Sequence, residues 1–176
     1  MGGVNNNSSA NNVAVGRNSL VGGTAAVTDC IAIGYFANDG TGAVGGTNNI
    51  FIGKNSGGGT WATAASSYNI GIGNNVLDAA MNGALNNTAI GYYALSSVTT
   101  ADNNVALGSN ALSALTTGAS NIAIGESAMY VHTTGTRNIA IGFAAMDNTD
   151  AGSTSLGSVD NIFMGDDAGG GTWADA

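Results

Sequence analysis

Charge is what this sequence most lacks. Asp, Glu, Lys and Arg make up 8% of its 176 residues, against about 25% in ordinary globular chains. Only Arg17, Lys54 and Arg137 are basic, and the formal net charge is −8. Phosphate recognition needs clustered Lys and Arg, so no nucleic-acid partner is expected. Cysteine occurs once, and Cys30 by itself forms no internal disulfide. Histidine also occurs once. A Ser-His-Asp triad would have to be built around His132, and no Gly-x-Ser-x-Gly phrase marks a nucleophile, so no catalytic residue is expected and His132 reads as an exposed loop residue. No stretch approaches the roughly 20 apolar residues of a membrane span, so no membrane insertion is expected. The start, Met1-Gly2-Gly3-Val4-Asn5, lacks the pattern of a signal peptide. A role outside the cell would call for an export segment not present here, or for release with a virion.

Proline is absent as well, while glycine occurs 29 times and Asn, Ala, Thr and Ser fill most other places. Such a composition could mean disorder. Yet 44% of the residues are hydrophobic and recur at fixed positions, which points to a regular repeat. The recurring phrase is Asn, β-branched, small, aliphatic, Gly, any, any, small. It appears as NVAVGRNS, CIAIGYFA, NIFIGKNS, NIGIGNNV, NTAIGYYA, NVALGSNA, NIAIGESA, NIAIGFAA and NIFMGDDA. Its glycines are Gly16, Gly34, Gly53, Gly73, Gly91, Gly108, Gly125, Gly142 and Gly165, spaced 18, 19, 20, 18, 17, 17, 17 and 23 residues apart. That period is too short for a βαβ unit and fits one coil of a solenoid.

The alternation before each glycine has the period of two that a strand requires. Pairs such as Val13 and Val15, Ile31 and Ile33, or Ile122 and Ile124 share one face, and that face is expected to be the core. Between them stands Ala six times and Gly once, small residues that would let a neighbouring coil or chain approach, with Phe51 and Phe163 as the two exceptions. Glycine in all nine copies predicts a sharp corner at every rung. After it comes a small residue, then often a large apolar one: Leu20, Leu77, Leu95, Leu112, Met129 or Met146. About three buried aliphatic side chains per coil offset backbone ordering only when coils stack, so a single repeat should not fold.

Asparagine opens eight of the nine phrases, at Asn12, Asn49, Asn69, Asn87, Asn104, Asn121, Asn138 and Asn161. Stacked about 4.8 Å apart, their amides could bond along the axis as a structural ladder. Cys30 takes the ninth place and reads as a substitution within it, a reactive thiol being the alternative. The Thr-, Ser-, Gly- and Asn-rich segments between phrases read as a second, polar strand plus turn. Leu77–Leu85 is the best helical candidate and no more than one short turn. The expected fold is therefore all-β, a parallel β-solenoid or β-roll of nine 17–23-residue coils, a single domain over 1–176 and possibly a piece of a longer array.

A longer period overlies the short one. NIFIGKNSGGGTWAT from Asn49 returns as NIFMGDDAGGGTWAD from Asn161, 112 residues later. Each copy places Trp ten residues after Phe, across a triple glycine: Phe51 with Trp61, Phe163 with Trp173. Either the Trp packs back over the Phe, or it stands exposed as a platform for a sugar ring. Tyr92 and Tyr93, with Tyr35, Phe36 and Phe143, extend the second idea.

The phrases NTAIGYYALSS and NIAIGESAM resemble, over nearly the whole chain, the AIG-type repeats of bacteriophage tail fibres and related viral fibre proteins. They are also similar to the head repeats of trimeric autotransporter adhesins. The resemblance implies a left-handed parallel β-roll assembled from three chains. It also implies a stiff, protease-resistant appendage, extracellular or on a virion, that attaches to a cell surface, often to glycans. The chain departs from the autotransporter form in its longer period and in having no stalk or membrane anchor.

Other chemistry is sparse. Asp166 and Asp167 with Asp160, or Asp147 with Asp150, could offer oxygen ligands to Ca²⁺, but neither set follows a known calcium loop, and no metal or other cofactor is expected. Asn6, Asn7 and Asn86 begin formal glycosylation sequons, which an Asn-rich chain produces by chance. Two functions remain in contention: an adhesive fibre segment, closed as a homotrimer and binding cell-surface glycans, and a subunit that joins end to end into an extracellular filament without a soluble ligand. Ice binding, which needs a flat Thr array, has only Thr99, Thr100, Thr116, Thr117, Thr133 and Thr134 to draw on.

Overall fold

The structure is a computed structural model and describes residues 10–21, 27–39, 44–61, 63–147 and 158–170. Nine three-residue strands follow one another: β1 Val13–Val15, β2 Ile31–Ile33, β3 Ile50–Ile52, β4 Ile70–Ile72, β5 Thr88–Ile90, β6 Val105–Leu107, β7 Ile122–Ile124, β8 Ile139–Ile141 and β9 Ile162–Met164. They form one parallel sheet in chain order, so the chain climbs by one rung at each pass and the fold is a β-solenoid. Register is set by the repeat. Val105 pairs with Ile122, Ala106 with Ala123 and Leu107 with Ile124, and every other neighbouring pair matches in the same way. No helix occurs among the described residues, and Leu77–Leu85 runs through turns and bends.

The strands are short because glycine ends each one. At these corners φ lies between 129° and 142°, a conformation almost restricted to glycine. Space closes the position a second time. A Cβ on Gly108 would collide with the carbonyl oxygen of Gly125 on the rung above, and the same holds from Gly16 to Gly142.

Beyond the corner the chain makes consecutive turns, not the second polar strand expected from composition. Two further residues per coil lie at positive φ there, as Asn110 (58°) and Leu112 (52°), and a third, Asn103 (59°), precedes the ladder asparagine. Asparagine tolerates this region better than other non-glycine residues, which accounts for much of the asparagine outside the ladder. The backbone is nevertheless satisfied from rung to rung: Leu95 N–H donates to Ala111 C=O (3.1 Å), Leu112 to Ala128 (3.0 Å) and Met129 to Ala145 (2.9 Å). Isolated bridges such as Thr28 to Thr47 and Ser67 to Leu85 add to it.

The core lies on the opposite side of the strands from the one expected. Ala32, Phe51, Ala89, Ala106, Ala123 and Ala140, the middle residues, are fully buried. The flanking aliphatic residues face outward: Val15 is 55% exposed, Leu107 45% and Ile162 67%. The reason is room. A 17-residue coil closes on itself so tightly that the sheet's inner face holds little more than a methyl group, and the interior is completed by the buried column of Leu77, Leu95, Leu112, Met129 and Met146.

Candidate functional site

From Asn49 to Asn161 the asparagines opening the strands form a continuous ladder, fully buried as far as Asn138. Asn104 is representative. Its Oδ1 accepts the backbone N–H of Asn121 (2.9 Å) and one hydrogen of Asn121 Nδ2 (3.1 Å). Its own Nδ2 donates to Asn87 Oδ1 (3.1 Å) and to the carbonyls of Asp102 (3.0 Å) and Gly118 (3.0 Å). The same exchange joins Asn49, Asn69, Asn87, Asn121, Asn138 and Asn161. Every amide is engaged, which is what lets so polar a side chain be buried at each rung.

Cys30 interrupts the ladder. Asn12 Oδ1 still accepts the Cys30 N–H (2.9 Å), but above it the Asn49 N–H meets only sulfur at 3.4 Å. Burial pushes the Cys30 thiol above its ordinary pKa. A thiol held protonated and fully buried is a poor nucleophile, which weighs against the reactive alternative.

The Phe–Gly–Gly–Gly–Trp element is packed, not displayed. Trp61 is fully buried and meets Phe51 edge to face, with ring centroids 6.3 Å apart at 65°. The exposed platform at Trp61 is therefore corrected: an indole sealed inside the solenoid offers no face to a sugar. Space explains the glycines: a Cβ on Gly57 would strike the Phe51 ring and one on Gly59 the Ala79 carbonyl, and Gly71 on β4 likewise leaves room for the ring. Trp173 lies outside the described residues. His132 is also corrected, from exposed loop to full burial, where it stands 3.3 Å from Asn138 Nδ2. Its place follows Val98 and Leu115 at intervals of 17 residues in one inward column, a spacing legible in the sequence.

The acidic residues do not converge. Among the described residues no three His, Cys, Asp or Glu side chains lie close enough to hold a metal ion. Asp160 is instead paired with Arg137 at 2.6 and 2.8 Å, in an exposed bridge. Asp150 lies outside the described residues, as do Asn6 and Asn7. A less obvious pair is Asp39 and Asp78, both near Gly58. Desolvation, with a smaller contribution from Asp78, pushes the Asp39 pKa up to about 6, and desolvation raises Asp78 as well.

What the surface does present is apolar. The first and third residues of nine in-register strands make two parallel columns, in which Thr88 is the only polar side chain. Nine rungs about 4.8 Å apart give a stripe about 40 Å long and roughly 400 Å² in area. Beside it, at the first position after the corner, stand the exposed rings of Tyr35, Tyr92 and Phe143. Tyr92 and Tyr93 meet edge to face at 4.5 Å and 82°, and both are exposed.

Compared with known proteins, the chain matches no family model, no curated protein and no solved structure. The surface must be read on its own chemistry: an uncharged aliphatic stripe, a rim of aromatic rings and a rigid stack beneath them.

Proposed function

We propose that the chain is a non-enzymatic segment of an adhesive fibre, extracellular or carried on a virion, which assembles from copies of itself and attaches to cell-surface glycans. The aliphatic stripe carries this reading. The largest apolar patches on soluble proteins measure about 300–600 Å² and are often functional, and this one is regular and free of charge along its length. A second copy has a matching stripe by identity, so two or three parallel chains can bury it in register. Three chains around a common axis bury each stripe without leaving an open edge, and that is the arrangement implied by the resemblance to adhesin head repeats. Attachment to glycans draws on the same resemblance and on the exposed tyrosines beside the stripe.

The test is the mass of the assembly in solution. Light scattering of the purified chain should give a three-chain particle. Leu107→Glu and Ile90→Glu, which alter only outward positions, should give single chains with an unchanged circular-dichroism spectrum. A wild-type chain that stays monomeric at high concentration would remove the reading. Electron micrographs showing indefinite filaments in place of discrete rods would move the conclusion to the end-to-end filament.

A further inference from the structure

We propose that a groove across the rungs of β5, β6 and β7 is a binding cleft for an uncharged sugar. This rests on the attachment reading and gives it a location. The groove has a volume of about 490 Å³, within the range of small-ligand clefts. Tyr93 and Tyr130 stand at its borders, 38% and 46% exposed, with Ser96, Ser97, Asn110 and Ser113 between them. The two tyrosines belong to rungs two apart, so their rings are offset along the axis by about 10 Å.

The chemistry of this lining selects the ligand class. A pyranose has an apolar face that packs on an aromatic ring and a rim of hydroxyls that need both donors and acceptors, and here two rings enclose four small polar groups. The Ser96 and Ser113 hydroxyls donate along the axis, to the carbonyls of Ser113 (3.3 Å) and Tyr130 (3.4 Å), and each oxygen keeps lone pairs with which to accept. Asn110 Nδ2 donates to Ser109 Oγ (3.3 Å). Its Oδ1 and the Ser97 hydroxyl bond to no other described residue, so both are available. No charged side chain lines the groove. The net charge of −8 disfavours an anionic sugar.

Tyr93 adds a second line of support. It sits at φ 56°, at the turn position where Asn55 (52°), Asn75 (54°) and Asn110 (58°) stand on other rungs, and Phe36 (55°) on one. A bulky aromatic is a costly occupant of that conformation and asparagine a cheap one. What the ring returns to the fold is its edge-to-face contact with Tyr92, and its exposed part is open to a ligand.

Binding of the full chain to an array of neutral oligosaccharides, with sialylated and sulfated glycans as controls, tests the proposal. Wild type should bind neutral glycans and not the acidic ones. Tyr93→Asn should melt no lower than wild type yet bind at least about tenfold more weakly, and Tyr130→Ala should show a similar loss. If wild type binds but both variants retain full affinity, the groove is overturned while attachment to glycans stands. Absence of binding to any glycan overturns the groove and the attachment reading together, and leaves self-assembly to be judged by its own mass measurement. Should either substitution change the number of chains in the particle, the groove is a contact between copies and the sugar assignment falls.

Discussion

At the scale of single residues, stacking makes each position answer to its equivalents above and below. Gly108→Ala should cost about 3 kcal/mol or more, because the new methyl meets the Gly125 carbonyl and adopts a glycine-only φ. Gly165→Ala meets nothing closer than the Ala168 Cβ at 3.8 Å, so it should cost about 1–2 kcal/mol, from backbone strain alone. Urea titrations of the two variants would show the difference. Cys30→Asn should restore the missing rung of the amide ladder and raise stability by about 1 kcal/mol; a lower midpoint would mean that the ladder contributes little at that level. Asp39 gives a dependence on pH. Its folded pKa of about 6 exceeds the unfolded value of 3.8, so the folded state binds more protons between the two. Its contribution to stability therefore declines as pH rises from about 4 through 6. Asp39→Asn should stabilise on the order of 1 kcal/mol at pH 7.5, once screening of a half-exposed group is allowed for, and not at all near pH 3. Melting curves at the two pH values test the sign.

At the scale of the element, the sequence disclosed where the strands are but not which way they face. A strand of three residues holds a single period of two, and Val-Ala-Val satisfies either orientation. The usual preference for burying Val, Ile and Leu pointed to the wrong side. The better signal was the size of the middle residue: a column of alanines marks the place where backbone closes on backbone, whereas an outward surface tolerates any volume. Burial of Trp61 was legible as one of two alternatives, through its fixed spacing from Phe51. The groove at Tyr93 and Tyr130 was not legible, because its residues come from three rungs and meet only when those rungs are stacked. Complementarity of size between rungs is itself testable at Phe51, whose ring occupies the room left by Gly71 on the next strand. Gly71→Ala should destabilise by about 1–3 kcal/mol and Phe51→Ala by about 3–5 kcal/mol. Combined, they should cost at least about 0.5 kcal/mol less than the sum, a coupling expected only of side chains in contact.

At the scale of the whole molecule, each strand touches only the strands before and after it. Stability then accumulates as a series of neighbour terms in place of one global core. The rungs from Gly91 to Gly142 follow one another at 17-residue intervals without excursions, and they can be counted in or out. Removing residues 105–121, one full period, should leave a chain that unfolds cooperatively and retains the strand signal per residue; an 8-residue deletion from the same region should abolish folding. Circular dichroism with thermal scans distinguishes these outcomes.

The amide ladder also has a direction. Each Oδ1 is answered from the rung that follows it in the chain, so the dipoles of successive side chains line up head to tail. A rod built this way is polar like a ratchet bar: one tip offers amide oxygens with no rung to answer them and the other amide hydrogens, so the two tips are chemically unlike.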